Sequence, residues 1–160
     1  MSSSSALFPI PHERILEIIK LCQAEAEIAI QEKNVPIAAI ITNMQGDILI
    51  STHNTQNVSH DPTAHAEINA LRALGKQRGA RYLEECVVFS NAEMCSMCAS
   101  ACIKAHIRHF AYGAPAEPSM DPNIHLSDIA KASLTPIHIY GPVLQSECAA
   151  QIARGRSEIS

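Results

Sequence analysis

Cys86-Val-Val-Phe-Ser-Asn-Ala-Glu-Met-Cys-Ser-Met-Cys-Ala-Ser-Ala-Cys-Ile-Lys-Ala105 decides the fold. Its first five residues, 86–90, form a short apolar run and read as a buried strand. Residues 96–105 are small and apolar and read as a short helix, and residues 107–112 return as another strand. Strand, helix and strand in succession call for a crossover connection. Such connections build a largely parallel sheet covered on both faces.

Working outward, the same alternation extends both ways. Upstream, Asp61-Pro-Thr63 announces a helix, with a capping side chain and a Pro in the first turn. That helix is expected over 64–74 and is ended by the stretch 75–80 that begins with Gly75. Residues 54–62 are polar and read as loop. Before them, residues 35–41 and 48–53 read as two strands joined by a turn at 43–47 that contains Gly46, hence a hairpin. Pro36 belongs at the start or edge of its strand. The chain opens with a helix over 11–33, whose stripe is Ile15, Ile18, Ile19, Cys22, Ala26, Ala29 and Ile30. Downstream come a Pro-rich loop over 113–122, a helix over 123–131, a fifth strand over 137–140 and a last helix to about Arg154. The expected architecture is α/β in three layers: a five-stranded mixed sheet, an N-terminal hairpin plus parallel strands, with helices on both faces. Residues 1–10 are expected to be a disordered tail, and 11–160 a single catalytic domain.

Composition bounds the function. The chain has 160 residues, 47% of them hydrophobic and 18% charged, which suits one globular domain with a core. A formal charge of -4 gives no electrostatic push toward nucleic acid or an anionic membrane. No apolar run reaches membrane-spanning length. Met1-Ser-Ser-Ser-Ser5 lacks the basic start and apolar centre of a secretory signal. Six cysteines without such a signal are expected to be free thiols, ligands or a redox pair, so the expected location is the cytoplasm.

Two short motifs carry the chemistry. Cys95 and Cys98 are three apart, a spacing that on a helical turn turns both sulfurs to one face. Alone, C-x-x-C fits a redox pair as well as a metal site. The upstream His65-Ala66-Glu67, its Glu twenty-eight residues before Cys95, decides for metal. One imidazole and two thiolates form a three-ligand zinc set with one position left for water, one zinc per chain. Residues two apart do not share a helical face, so Glu67 is poorly spaced to be a second ligand beside His65. It is better placed to flank the open position and shuttle a proton from a water whose pKa zinc lowers to about 7. Cys102, four residues past Cys98, reads as a core cysteine rather than a fourth ligand, since small apolar residues surround it. Cys22, Cys86 and Cys148 also read as core. Of the remaining histidines, His53 and His60 lie nearest the motif in sequence.

Asp61-Pro-Thr-Ala-His-Ala-Glu-Ile-Asn-Ala-Leu-Arg72 followed by Glu93-Met-Cys-Ser-Met-Cys98 resembles the zinc-dependent cytidine/deoxycytidylate deaminase superfamily. It is most similar to the branch that holds guanine deaminases, cytosine deaminases of this fold and tRNA adenosine deaminases. The resemblance runs from Val35 to Gly113, half the chain. It implies a five-stranded sheet between helices and a homodimer or larger assembly. It implies zinc ligands at His65, Cys95 and Cys98, with Glu67 as catalytic proton carrier. Asn54, eleven residues before His65, matches the Asn that binds the base in purine-acting relatives. Ala66 is the second substrate contact that the resemblance assigns. Two departures stand out: Met94 replaces the family's Pro, and Ala38 replaces a small turn Gly.

The implied reaction is hydrolytic deamination of a guanine- or cytosine-like nucleobase or related heterocycle. The alternative is tRNA adenosine deamination, which uses the same groups. The acidic balance disfavours it, since phosphate contacts need Lys and Arg. Lys76, Arg78 and Arg81 fit a solvated helix end, and Arg154 and Arg156 are few. A third reading, a zinc scaffold without activity, leaves Glu67 unexplained.

Overall fold

The structure, a computed structural model, describes residues 8–118, 120 and 124–160. Helix α1 (His12–Gln31) precedes the hairpin β1 (Ala38–Asn43) and β2 (Ile48–His53). Then follow α2 (Gln56–Ser59), α3 (Ala66–Arg78), β3 (Cys86–Ala92), α4 (Ser96–Lys104) and β4 (His109–Ala114). The chain closes with α5 (Leu126–Ala132), β5 (His138–Tyr140) and α6 (Gln145–Ile159). The sheet order is β2-β1-β3-β4-β5. Strand β1 is antiparallel to both β2 and β3, while β3–β4 and β4–β5 are parallel.

Side-chain direction along β2 shows the layers. Ser51 and His53 bond Glu25 of α1, whereas Thr52 between them donates to the Ala66 carbonyl of α3. Successive strand residues point to opposite faces, so α1 and α3 lie on opposite sides of the sheet. Helix α6 shares the α1 side, where the Gln151 amide donates to the Gln23 carbonyl and to Glu27. Helix α4 packs beside α3, and α5 beside α4.

The stripe expected on the first helix is its buried face: Ile15, Ile18, Ile19, Cys22, Ala26, Ala29 and Ile30. Strand β3 is buried at every residue, and Phe89 and Phe110 anchor the centre of the core. Of the tail expected over 1–10, residues 1–7 lie outside the described residues, and Phe8 and Ile10 are buried in the core.

Several boundaries move for physical reasons. The first strand, expected over 35–41, joins the ladder at Ala38. Pro36 has no N–H to give a ladder, and the Asn91 side chain serves this stretch instead. Its oxygen accepts the Ala38 N–H at 2.9 Å, and its amide donates to the Pro36 carbonyl at 3.0 Å. The stretch 54–62, expected as loop, contains the single turn α2, because the Asn34 side-chain oxygen accepts the N–H groups of Asn57 and Val58. Helix α3 runs through Gly75 and stops where Gly79 takes a left-handed conformation, φ 64°. Strand β4 sits two residues later than expected and carries Gly113 inside it. A Cβ there would meet Cys148 Sγ at 2.4 Å, so this Gly lets α6 seat directly on the sheet. Helix α5 begins at Leu126, where His125 and Asp128 form a reciprocal cap; the expected start at Asn123 lies outside the described residues. Helix α6 continues past Arg154 to Ile159.

Candidate active site

The site is built at two helix starts. Strand β3 ends at Ala92, the chain turns through Glu93 and Met94, and Cys95 is the N-cap of α4. His65 is the N-cap of α3. Both have extended backbone, and neither uses its side chain to cap its own helix. The side chains turn to each other instead. His65 Nδ1 lies 3.6 Å from Cys95 Sγ and 3.5 Å from Cys98 Sγ, and the three ligand atoms lie within 4.8 Å of one another. An imidazole nitrogen and two sulfurs at such separations, with no fourth protein donor among the described residues, are positioned to bind zinc with one direction left open.

The electrostatics of the ligand set agree with that use. The Cys95 thiol is pushed down to about 4, chiefly by the hydrogen bond it receives from Cys98, with burial opposing and His65 adding to the effect. Its position at a helix N-terminus also favours the thiolate, the form that binds metal. Cys98 is raised, because it gives that hydrogen bond and is buried.

Glu67, in the first turn of α3, is only 3% exposed, and its Oε1 is buried without a hydrogen-bond partner. Burial pushes its carboxyl up to about 7, and the Cys95 sulfur adds to the shift. A carboxylate buried this way beside a cation site can take a proton and give it back near neutral pH. A bound dication would favour its charged form.

These groups open onto a cavity of about 260 Å³. Asn54 lines it and is 2% exposed. Its Oδ1 accepts the Gln56 N–H at 2.9 Å and its Nδ2 donates to Gln56 Oε1 at 2.6 Å, so the two side chains form one polar wall. Val35 and Ile37 supply the apolar side, held in place by Asn91. Ala66 is fully buried and its carbonyl accepts from Thr52, but it is not among the residues lining the cavity. His53 faces α1, between Glu25 and Glu32, and His60 is exposed; neither reaches the cavity. Cys102 is buried in the core and stands outside the ligand group.

Three polar lining residues were given no role in this site from sequence: Gln56, Glu93 and Arg156. Glu93 directly precedes Met94-Cys95, a signal that could have been read. Its carboxylate accepts the Ala116 N–H at 3.0 Å and the Leu126 N–H at 2.8 Å, with His125 at 3.3 Å. Arg156 arrives from α6, and no local pattern announces it.

Comparisons with known proteins agree with this geometry. The family model described as "cytidine and deoxycytidylate deaminase zinc-binding region" matches residues 12–114. A tRNA-specific adenosine deaminase of Aquifex aeolicus is 33% identical over 96 residues, covering 60% of this chain and 63% of that protein. A guanine deaminase of Bacillus subtilis is 34% identical over 100 residues, covering 60% and 64%. The chain thus spans less than two thirds of the length of the curated relatives it matches. A structure from work on A-to-I editing by tRNA:A34 deaminases superposes with a TM-score of 0.74 at 28% identity, over 84% of this chain and 98% of that one.

Proposed function

Because the chain belongs to the cytidine and deoxycytidylate deaminase family, we propose that it is a zinc-dependent hydrolase that replaces an amino group on a small heterocycle by a carbonyl and releases ammonia. The observation that carries this reading is the buried, unpartnered Glu67 carboxylate oxygen beside the His65–Cys95–Cys98 cluster. His65, Cys95 and Cys98 are the ligands, and zinc supplies Lewis-acid activation of the attacking water. Glu67 accepts the proton that water gives up. It passes that proton to the ring nitrogen next to the amino-bearing carbon, then takes a second proton from the hydroxyl added to that carbon as the carbonyl forms and gives it to the departing amine, which leaves as ammonia. Asn54, braced by Gln56, orients the ring in its plane. The contact at Ala66 that the resemblance implies is not part of this reading, because Ala66 is fully buried, its carbonyl is taken by Thr52, and it does not line the cavity.

The substrate we favour is a free guanine- or cytosine-like base. A cavity of about 260 Å³ lies just under the roughly 300–1,000 Å³ of common small-molecule pockets and suits one ring system. The second reading is a tRNA adenosine deaminase, favoured by the likeness to the Aquifex aeolicus protein and to the A-to-I editing structure. The net charge of -4 weighs against it, because a polynucleotide held through its phosphates needs a basic track. We further place the enzyme in the cytoplasm, since none of its six cysteines is in a disulfide, and as a homodimer. No helix among the described residues is long and apolar enough to cross a membrane.

The test is ammonia release from a panel of amino-purines, amino-pyrimidines and amino-triazines by zinc-loaded protein, with inosine formation in a tRNA anticodon as the competing assay. Glu67→Gln is expected to keep zinc and fold and to lose at least about 10²–10⁴-fold in turnover. Retained zinc with only a few-fold loss would remove Glu67 from the proton-carrying role. Efficient, salt-sensitive tRNA editing without turnover of any small heterocycle would reverse the choice of substrate.

A further inference from the structure

Helix α6 ends at the site by a specific close approach. Gly155 is buried, and a Cβ on it would stand 2.6 Å from Pro36 Cβ and 2.7 Å from Ile30 Cδ1. Both contacts are far inside what a real Cβ tolerates. The last turns of α6 therefore lie directly on Pro36, whose neighbours Val35 and Ile37 are cavity wall. Residue 156 follows at once, and its side chain lines the cavity with Asn54, Gln56 and Glu67. Arg154, two positions earlier, is turned away to Glu27 and Glu158.

The polar character of the cavity makes this Arg informative. Among the described lining residues, Arg156 alone carries a permanent positive charge. Glu93 is engaged by two backbone N–H groups, and Asn54 and Gln56 are engaged with each other. Glu67 offers only acceptor atoms when ionised. A guanidinium has five N–H donors and no acceptor, so it can keep a protein partner and still face a ligand. What it recognises on a heterocycle is an acceptor, and a carbonyl oxygen with two lone pairs suits its planar fork better than a single-lone-pair ring nitrogen; what it disfavours is an amino group or a hydrogen at that place.

We propose that Arg156 is the specificity-determining residue of the site: carried in by the Gly155–Pro36 contact, it binds a carbonyl oxygen of the ring, so the substrate is an amino-heterocycle that also bears a carbonyl. This rests on the deaminase reading above and adds the substrate class to it. It separates guanine and cytosine from adenine, which has no carbonyl.

The experiment compares ligands that differ only at the carbonyl, using the full zinc-loaded chain. Binding is measured for hypoxanthine against purine and for pyrimidin-2-one against pyrimidine; none of the four has an amino group to lose. Turnover is measured for guanine against 2-aminopurine and for cytosine against 4-aminopyrimidine. In at least one ring series, Arg156→Gln should weaken the carbonyl-bearing member roughly ten- to a hundredfold while changing the other by less than about threefold. Arg156→Lys should restore part of the preference, and Arg154→Gln on the same helix should leave it unchanged. Equal losses on both members of each pair, no loss on either, or a wild-type protein that binds neither carbonyl-bearing ligand would overturn the assignment. Selective binding lost in Arg156→Gln, with no ammonia from any amino compound, would uphold Arg156 as the carbonyl reader and sink the deaminase reading alone.

Discussion

Glu93→Gln is a nearly isosteric change in a residue that has no place in the proton transfers, yet it should be strongly destabilising. Glu93 is 8% exposed. One carboxylate oxygen accepts the Ala116 N–H just after β4, and the other accepts the Leu126 N–H at the start of α5. One side chain, two residues before Cys95, thus ties together both ends of the connection between these elements. A carboxylate satisfies both donors; an amide has one oxygen and must set its own NH₂ against the second N–H. A buried donor left without an acceptor costs about 1–3 kcal/mol, and the surviving bond loses its charge assistance. The sum is about 2–4 kcal/mol, and at about 2–4 °C per kcal/mol for a domain of this size the melting temperature should fall by roughly 5–15 °C. Scanning calorimetry of zinc-loaded protein measures it, with metal content assayed to exclude loss of the ion as the cause. Glu84→Gln is the control: its side chain is 69% exposed and, among the described residues, its ion pair is with His106 at 3.6 Å, so its effect should stay within about 0.5 kcal/mol. A Glu93→Gln protein that melts within about 1 °C of wild type would refute the two-ended clamp, because either N–H would then have another acceptor.

His53 gives a pH-dependent expectation. Burial by itself lowers its pKa, but hydrogen bonds to Glu25 and Glu32 prevail and raise it. Its stabilising contribution is therefore complete below the unfolded value of about 6.5 and fades as pH rises through the folded one. The melting-temperature gap between wild type and His53→Gln should be wider at pH 5.5 than at pH 9, and a gap that widens toward alkaline pH would contradict the pairing. Cys102→Ala should cost about 1–2 kcal/mol in lost packing while elemental analysis still finds one zinc per chain. Cys95→Ala and Cys98→Ala should lose the metal, and zinc loss in Cys102→Ala would make it a ligand.

Much of the fold was legible because burial of apolar stripes dictates it locally. The seven residues expected to face the core from α1 do so, and β2 spans Ile48–His53 as read. The boundaries that moved are those settled by partners distant in sequence. Asn91 is 55 residues from the Pro36 carbonyl that its amide holds, and Asn34 is 23 residues from Asn57. No local pattern could show that these amides do the work of a ladder or a cap. The docking of β1 between β2 and β3, antiparallel to both, was also invisible. Alternating strands and helices specify parallel neighbours among themselves, but not where a hairpin attaches.

The candidate site divides in the same way, and the division follows from its geometry. His65, Glu67, Cys95 and Cys98 were legible because each pair lies within one helical turn and the two short motifs together specify the chemistry. Gln56 and Arg156 were not, since they meet those groups only after α2 and α6 have docked. The cost of the arrangement lies at the two helix starts. A Ser, Thr, Asp or Asn at an N-cap stabilises a helix by about 1 kcal/mol over a side chain that cannot cap. Helices α3 and α4 both forgo that bond, because His65 and Cys95 turn their side chains toward each other rather than back to the backbone. Nearby, Glu67 keeps a buried oxygen without a partner. Three local rules are broken within a few ångströms. A dication answers all three together, by binding the turned ligands, stabilising the thiolates and favouring a charged Glu67. The strain and the chemistry therefore have one location, and positions at which local sequence rules fail together are where a functional site is expected.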